Sequence, residues 1–233
     1  LLGKDRKTNQ WFGDYVSEYN FTQSTDDGAT VPLFYQKRVH EVLIQNSRLS
    51  GEFYEILEDE NLNEAQTAKL ENKFAKDIEV VKRDDRLEKI AKDIVEHFPK
   101  RGYLGKGLVI SVDKFTAVKM YNKVQLYWMQ AIKDLRKQIE SSFDKEESAR
   151  LSLTLEFMRS TEMAVVLSEE ADEEKKFAEQ GLDIKPHRQR MVRMDENGHD
   201  LEYQFKDETH PLRLVFVCAM WLTGFDVPSL ATL

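Results

Sequence analysis

One cysteine, Cys218, stands in the whole chain of 233 residues. A lone thiol cannot close a disulfide within the chain, which fits a reducing compartment. Set between Val217 and Ala219 in an apolar run, it reads as a buried structural group rather than a nucleophile. No apolar run approaches the ~20 residues that cross a bilayer, so no membrane segment is expected. There is no charged-then-apolar leader and no initiator Met, and the expectation is a piece of a larger protein. Basic residues are in the minority. Lys and Arg number 34 against 42 Asp and Glu, a net charge of −8. That balance excludes a dedicated DNA-coating protein but leaves room for a local basic groove.

Several chemistries lack their motif. No Gly-x-x-x-x-Gly-Lys-[Ser/Thr] phosphate loop occurs, and no strand ends in the acidic pair that would hold magnesium. Gly102-Tyr103-Leu104-Gly105-Lys106-Gly107 precedes a strand and lacks the hydroxyl residue, so it reads as a flexible connector. His40, His97, His187, His199 and His210 lie far apart with no ligand spacing, which leaves no zinc site. No Gly-x-Ser-x-Gly elbow supports a hydrolase triad. Internal repeats and low-complexity tracts are absent as well.

What is present is an α/β pattern. Hydrophobic residues make up 41% and charged residues 33%, polar but sufficient for a core. Val31–Tyr35 and Glu41–Gln45 read as two short strands, and Asp26-Asp27-Gly28 as a turn. Leu70, Phe74, Ile78 and Val81 give a thin apolar stripe on an exposed helical stretch. Leu87, Ile90, Ala91, Ile94, Val95 and Phe98 keep helical spacing up to Pro99. Leu108–Val112, Glu162–Leu167 and Leu212–Cys218 are buried-strand candidates. Between them come a long helix from near Phe115, a second helix over 145–160, a charged helix from Glu169 to Gln180 capped by Ser168 and closed by Gly181, and a helix from Lys185 to Met194. Strands alternating with helices predict a parallel sheet with right-handed crossovers.

The loops after those strands are the candidate site. Ser111, Asp113 and Lys114 end one strand, Ser168 and Glu169 the second, and Thr223, Gly224 and Asp226 follow the third. Neighbouring parallel strands would bring them to one rim of the sheet, where open α/β folds bind ligands. The plain alternative for Asp113 and Ser168 is helix capping. Thr223-Gly224-Phe225-Asp226-Val227-Pro228 carries more, because Gly224 permits close backbone approach and Asp226 sets a charge beside a buried strand. Lys185, His187, Arg188, Arg190 and Arg193 form a local basic patch, either a phosphate-facing helix or a solvated face.

Taken together these residues resemble a known family. Val215-Phe216-Val217-Cys218-Ala219-Met220-Trp221-Leu222-Thr223-Gly224-Phe225-Asp226-Val227-Pro228 resembles the fifth helicase motif of the restriction (motor) subunit of type I restriction enzymes. Leu108–Val118 is similar to that family's fourth motif. Leu1–Thr8, Phe12–Tyr15, Tyr19–Phe21 and Gly28–Leu33 look like the stretch after its third motif, so the resemblance spans nearly the whole chain. It implies a RecA-like helicase lobe, parallel sheet flanked by helices, with a short β-hairpin and helical lead-in. The implied organisation is a lead-in over 1–50, a helical connector over 51–106 and the second motor lobe over 107–233. The implied protein is a bacterial, cytoplasmic DNA translocase and endonuclease that uses ATP and Mg2+, with the Mg2+ ligands outside this chain. Its implied partners are double-stranded DNA, the modification and specificity subunits, and the first motor lobe of the same polypeptide. The resemblance implies that Gly224 and Asp226 face nucleotide or its coupling network. It places Thr223 near the DNA backbone and gives Ser111 and Lys114 phosphate contacts. Arg188 and Arg190 are the candidate DNA contacts of the basic patch. With only half an ATP site, the isolated chain is expected to be inactive. The alternatives are the second lobe of another superfamily-two helicase or remodeller, and a non-catalytic α/β interaction domain.

Overall fold

The structure, a computed structural model, describes residues 19–30, 78, 80–101, 105–221 and 225–232. The short strands expected over 31–35 and 41–45, and Leu70 and Phe74 of the thin stripe, lie outside the described residues. The chain divides into two compact units, Leu1–Val39 and His40–Leu233.

In the first unit helix α1 spans Phe21–Asp26. Asn20 and Gln23 form a reciprocal capping box, each side chain accepting from the other's main-chain N–H, which satisfies donors that the first turn leaves open. The expected turn follows, with Gly28 at φ +71°.

The second unit holds the sheet. Helix α2 (Asp84–His97) runs into a 3-10 turn over Phe98–Lys100, then strand β1 (Lys106–Ile110). Helices α3 (Lys114–Ser141) and α4 (Lys145–Ser160) lead to β2 (Glu162–Val166). Helices α5 (Glu173–Glu179), α6 (Lys185–Val192) and α7 (Leu201–Lys206) lead to β3 (Leu212–Val217), and β4 (Leu230–Thr232) ends the set. The sheet order is β2-β3-β1-β4, and every pairing is parallel.

Both faces of the sheet are covered, which is why its strands read as continuous apolar runs. Met163, Val165, Leu167, Leu214 and Phe216 join a core built with α2, α3 and α4. Ala164, Val166, Val215 and Val217 point the other way, into a second core with Leu201, Phe205 and Val227. Alternate residues therefore serve opposite faces. Leu212 breaks that parity. It pairs with Glu162 while Leu214 pairs with Met163, so Arg213 is an extra residue in the ladder. This bulge turns Leu212 onto the second face beside Val215. Trp128 on α3 is buried and donates its indole N–H to the Met158 carbonyl at 3.0 Å, fastening α3 to α4.

Some expected boundaries move, for visible reasons. The β1 strand begins at Lys106 rather than Leu108, because Lys106 pairs with Leu230 and its main-chain N–H donates to Ser229. Gly107 thus lies within an interior strand and Gly105 directly before it, rather than in a loose connector. A Cβ at Gly107 would stand 2.5 Å from the Phe98 ring, so the absent side chain is what lets the 3-10 turn pack on β1. Ser168 caps no helix. The segment after β2 continues without regular structure to Asp172, which enters α5 from the left-handed region at φ 56°. The close of α5 is as expected. Gly181 at φ +69° and Leu182 donate back to Ala178 and Phe177, a Schellman motif that satisfies the last carbonyls. Helix α7 and strand β4 were not read from the sequence.

Candidate functional site

The register of the sheet sets the site. Ile110, Val166 and Val217 lie in one row across β1, β2 and β3, so the loops beginning at Ser111, Leu167 and Cys218 leave from a level rim. Ser111 extends the ladder by one bond, its N–H donating to Val217. Asp113 then caps α3, accepting the Thr116 N–H at 2.6 Å, and pairs with Lys82 at 2.7 Å. Burial alone would push the Asp113 carboxyl up, but those bonds outweigh it and hold the pKa below the ordinary 3.8. Cys218 is half-buried; desolvation and the Asp113 charge raise its thiol pKa, against reactivity.

Lys114 reaches from the first loop to Glu170 in the second at 3.3 Å, and Lys176 pairs with the same carboxylate. The second loop is held from behind by Arg188. Its guanidinium makes a bidentate pair with Glu173 at 2.5 and 2.6 Å and donates to the carbonyls of Leu167 and Ser168 at 2.6 and 2.9 Å. Such fork-to-fork pairs fix geometry as well as charge.

Arg190 goes elsewhere. It donates to Glu162 and Gln204, both at 2.9 Å, and Glu162 is the first residue of β2. Arg188 and Arg190 therefore serve opposite ends of β2, each engaged by internal partners. His187 between them is buried and meets the Tyr121 ring edge-on at 4.8 Å. Ile184, His187, Arg188, Arg190 and Met191 turn wholly or partly inward, while Lys185, Gln189 and Arg193 are exposed.

After β3 the backbone turns through Ala219 at φ 58° and Trp221 at φ 61°. Left-handed non-glycine residues cost on the order of 1–3 kcal/mol each and persist where the surroundings hold them. Thr223 and Gly224 lie outside the described residues. Asp226 is exposed and makes no ion pair among the described residues. Val227 behind it is buried, and β4 then enters the sheet beside Lys106. The segment from Cys218 to Ser229 thus runs from the rim to the other end of the sheet, with Asp226 on that crossing.

Among the described residues no group of three or more His, Cys, Asp or Glu could hold a metal ion. A groove of about 740 Å³ between α2, α3 and α4 holds none of the expected site residues. No helix among the described residues is long and apolar enough to cross a membrane. Sequence reasoning missed the aromatic contacts of this crossing. Trp221 and Phe225 stack on each other and on Phe205, a signal readable only as two rings flanking a Gly-containing turn.

Comparison with known proteins points the same way as the motifs. The SWI2/SNF2 ATPase family matches residues 1–67. The "Putative type I restriction enzyme MjaIXP endonuclease subunit" of Methanocaldococcus jannaschii is 31% identical over 232 residues, covering 99% of this chain. The type I restriction enzyme HindI endonuclease subunit of Haemophilus influenzae is 26% identical over 234 residues, again covering 99%. The chain spans 18% of the length of each relative. No solved structure matches it.

Proposed function

The chain is kin to the endonuclease subunits of type I restriction enzymes along 99% of its length, and on that premise we propose that it forms the second RecA-like lobe of such a subunit's DNA motor. On this reading the complete polypeptide is an ATP-dependent translocase and endonuclease. It works in the cytoplasm on double-stranded DNA, with modification and specificity subunits as partners and a first motor lobe on the same chain.

The observation that carries the reading is the level rim of β1, β2 and β3. It gathers Ser111 and Lys114 from the fourth-motif loop beside the start of the fifth-motif loop, as open α/β sheets do at a ligand crevice. Ser111 and Lys114 grip phosphates of the DNA backbone, and Thr223 is a further contact to it. Such contacts set grip without reading sequence, which suits a motor that must pass over any sequence. Gly224 and Asp226 face the nucleotide cleft. ATP and Mg2+ are completed by the phosphate loop and acidic residues of the first lobe, and the lobe proper spans 107–233. Arg188 and Arg190 hold the two ends of β2 rather than the DNA. The SWI2/SNF2 ATPase match over residues 1–67 supports the ATP-using part of this reading.

The test is Asp226→Ala in the full-length subunit, scored by ATP-driven translocation and by thermal melting. Translocation is expected to be lost with the melt unchanged. Wild-type translocation by the variant would remove Asp226 from the cleft.

A further inference from the structure

The fifth-motif crossing contains an arrangement that the proposed roles leave unexplained. Trp221 is a bulky residue in the left-handed region, φ 61°, two residues after Ala219 at φ 58°. A tryptophan adopts that backbone only where something fixes it. Its ring lies parallel to Phe225, with centroids 4.4 Å apart and planes at 7°. Both rings also stack on Phe205 of α7, at 5.6 and 6.3 Å. Phe205 is fully buried among Val215, Val217 and Leu201, and Lys206 sets its ammonium 4.9 Å from the Phe225 centroid. Offset stacks of this kind prefer one geometry and resist sliding.

The consequence lies at the next residue. Phe225 immediately precedes Asp226, so fixing the Phe225 ring fixes the backbone that presents the Asp226 carboxylate. We propose that Trp221 is a positioning residue for Asp226: it locks Phe225 against Phe205, and so ties the placement of the carboxylate to β3 and α7. Among the described residues Asp226 has no salt bridge. The stack takes over the orienting work that such a bridge does elsewhere. This inference rests on the motor reading given above, in which Asp226 faces the cleft.

The experiment compares Trp221→Leu, Trp221→Phe, Phe225→Leu and Asp226→Ala in the full-length subunit, following DNA-stimulated ATP turnover and duplex binding. Trp221→Leu is expected to lower kcat about tenfold or more, with the KM for ATP and the DNA affinity held within about twofold, because a misplaced group costs rate rather than binding. Trp221→Phe keeps an aromatic face and is expected to retain at least about half of kcat. Should Trp221→Leu fail to fold, Phe225→Leu removes the partly exposed end of the stack and carries the same expectation. Unchanged kcat in a folded stack variant overturns the positioning role alone. A fall in which kcat, KM and DNA affinity move together, without rescue by Trp221→Phe, also overturns it, since that is the mark of general loosening. Unchanged turnover in Asp226→Ala overturns both this role and the placement of Asp226 in the cleft, and leaves the motor reading, which stands on the rim, to be judged separately by whether the wild-type subunit shows DNA-stimulated ATP turnover.

Discussion

The ammonium nitrogen of Lys106 lies 2.7 Å from the main-chain oxygen of Leu212 and donates as well to the carbonyls of His210 at 3.0 Å and Gln204 at 3.3 Å. One buried lysine thus gathers the end of α7, the turn after it and the start of β3 at the foot of the sheet. Burial is the main influence on it, and against the pull of Asp207 and Glu208 it brings the pKa from 10.5 down to about 8.

The sign of its pH effect follows directly. Unfolded, Lys106 keeps its proton up to 10.5; folded, it releases it near 8. Between those values the unfolded state binds more protons, so native stability rises with pH across that window. Lys106→Met has no such dependence and leaves three carbonyls, two of them buried, without this donor, a loss of about 1–3 kcal/mol near neutral pH. Urea melts of both proteins should show a gap that widens from pH 8 to pH 10.5. A gap that stays constant or narrows would contradict the buried-cation account.

Arg188 and Glu173 give a second test. Their side chains are 17% and 14% exposed and pair in two places, while the same guanidinium fastens two rim carbonyls. Arg188→Gln strands Glu173 and frees the loop after β2, and the expected loss of stability is roughly 2–3 kcal/mol, somewhat below that of a fully buried pair. The slope of DNA affinity against salt should stay as in the wild type. A slope smaller by about one would mean that Arg188 neutralises a phosphate.

The three strands that build the rim were legible because strands buried on both faces are written as unbroken apolar runs, and Val165-Val166-Leu167 and Leu214–Val217 are such runs. Helices α2, α3 and α4 were legible from their spacing. What escaped was fixed by contacts distant in sequence. Lys106 reads as a connector residue until Leu212, 106 positions away, offers it a carbonyl. Ser168 reads as a cap until Arg188 takes its carbonyl from α6. Arg188 and Arg190 sit two apart on one short helix and look like neighbours on a surface, yet one turns to each end of β2. Helix α7 has six residues, too short for periodicity, although Asp200 as its cap, accepting from Tyr203, was a readable start. The rings of Phe205, Trp221 and Phe225, which stack together, are scattered over two segments.

Asp113 tests the rim at its other side, because two of its functions can be separated. As the cap of α3 it accepts the Thr116 N–H, and as an ion it pairs with Lys82. Asn is as good a cap as Asp, so Asp113→Asn removes only the ion pair, about 0.2–1 kcal/mol for a pair at a partly exposed site. Asp113→Ala removes both and should cost about 1 kcal/mol more than the Asn variant. The carboxyl titrates below 3.8 in the folded protein, so its charge contributes stability above that value and the contribution fades as pH falls through the folded pKa. The difference between wild type and Asp113→Asn should therefore be full at neutral pH and shrink in the acid limb. An Asn variant as damaged as the Ala variant would show that the charge, and not the cap, anchors the start of α3.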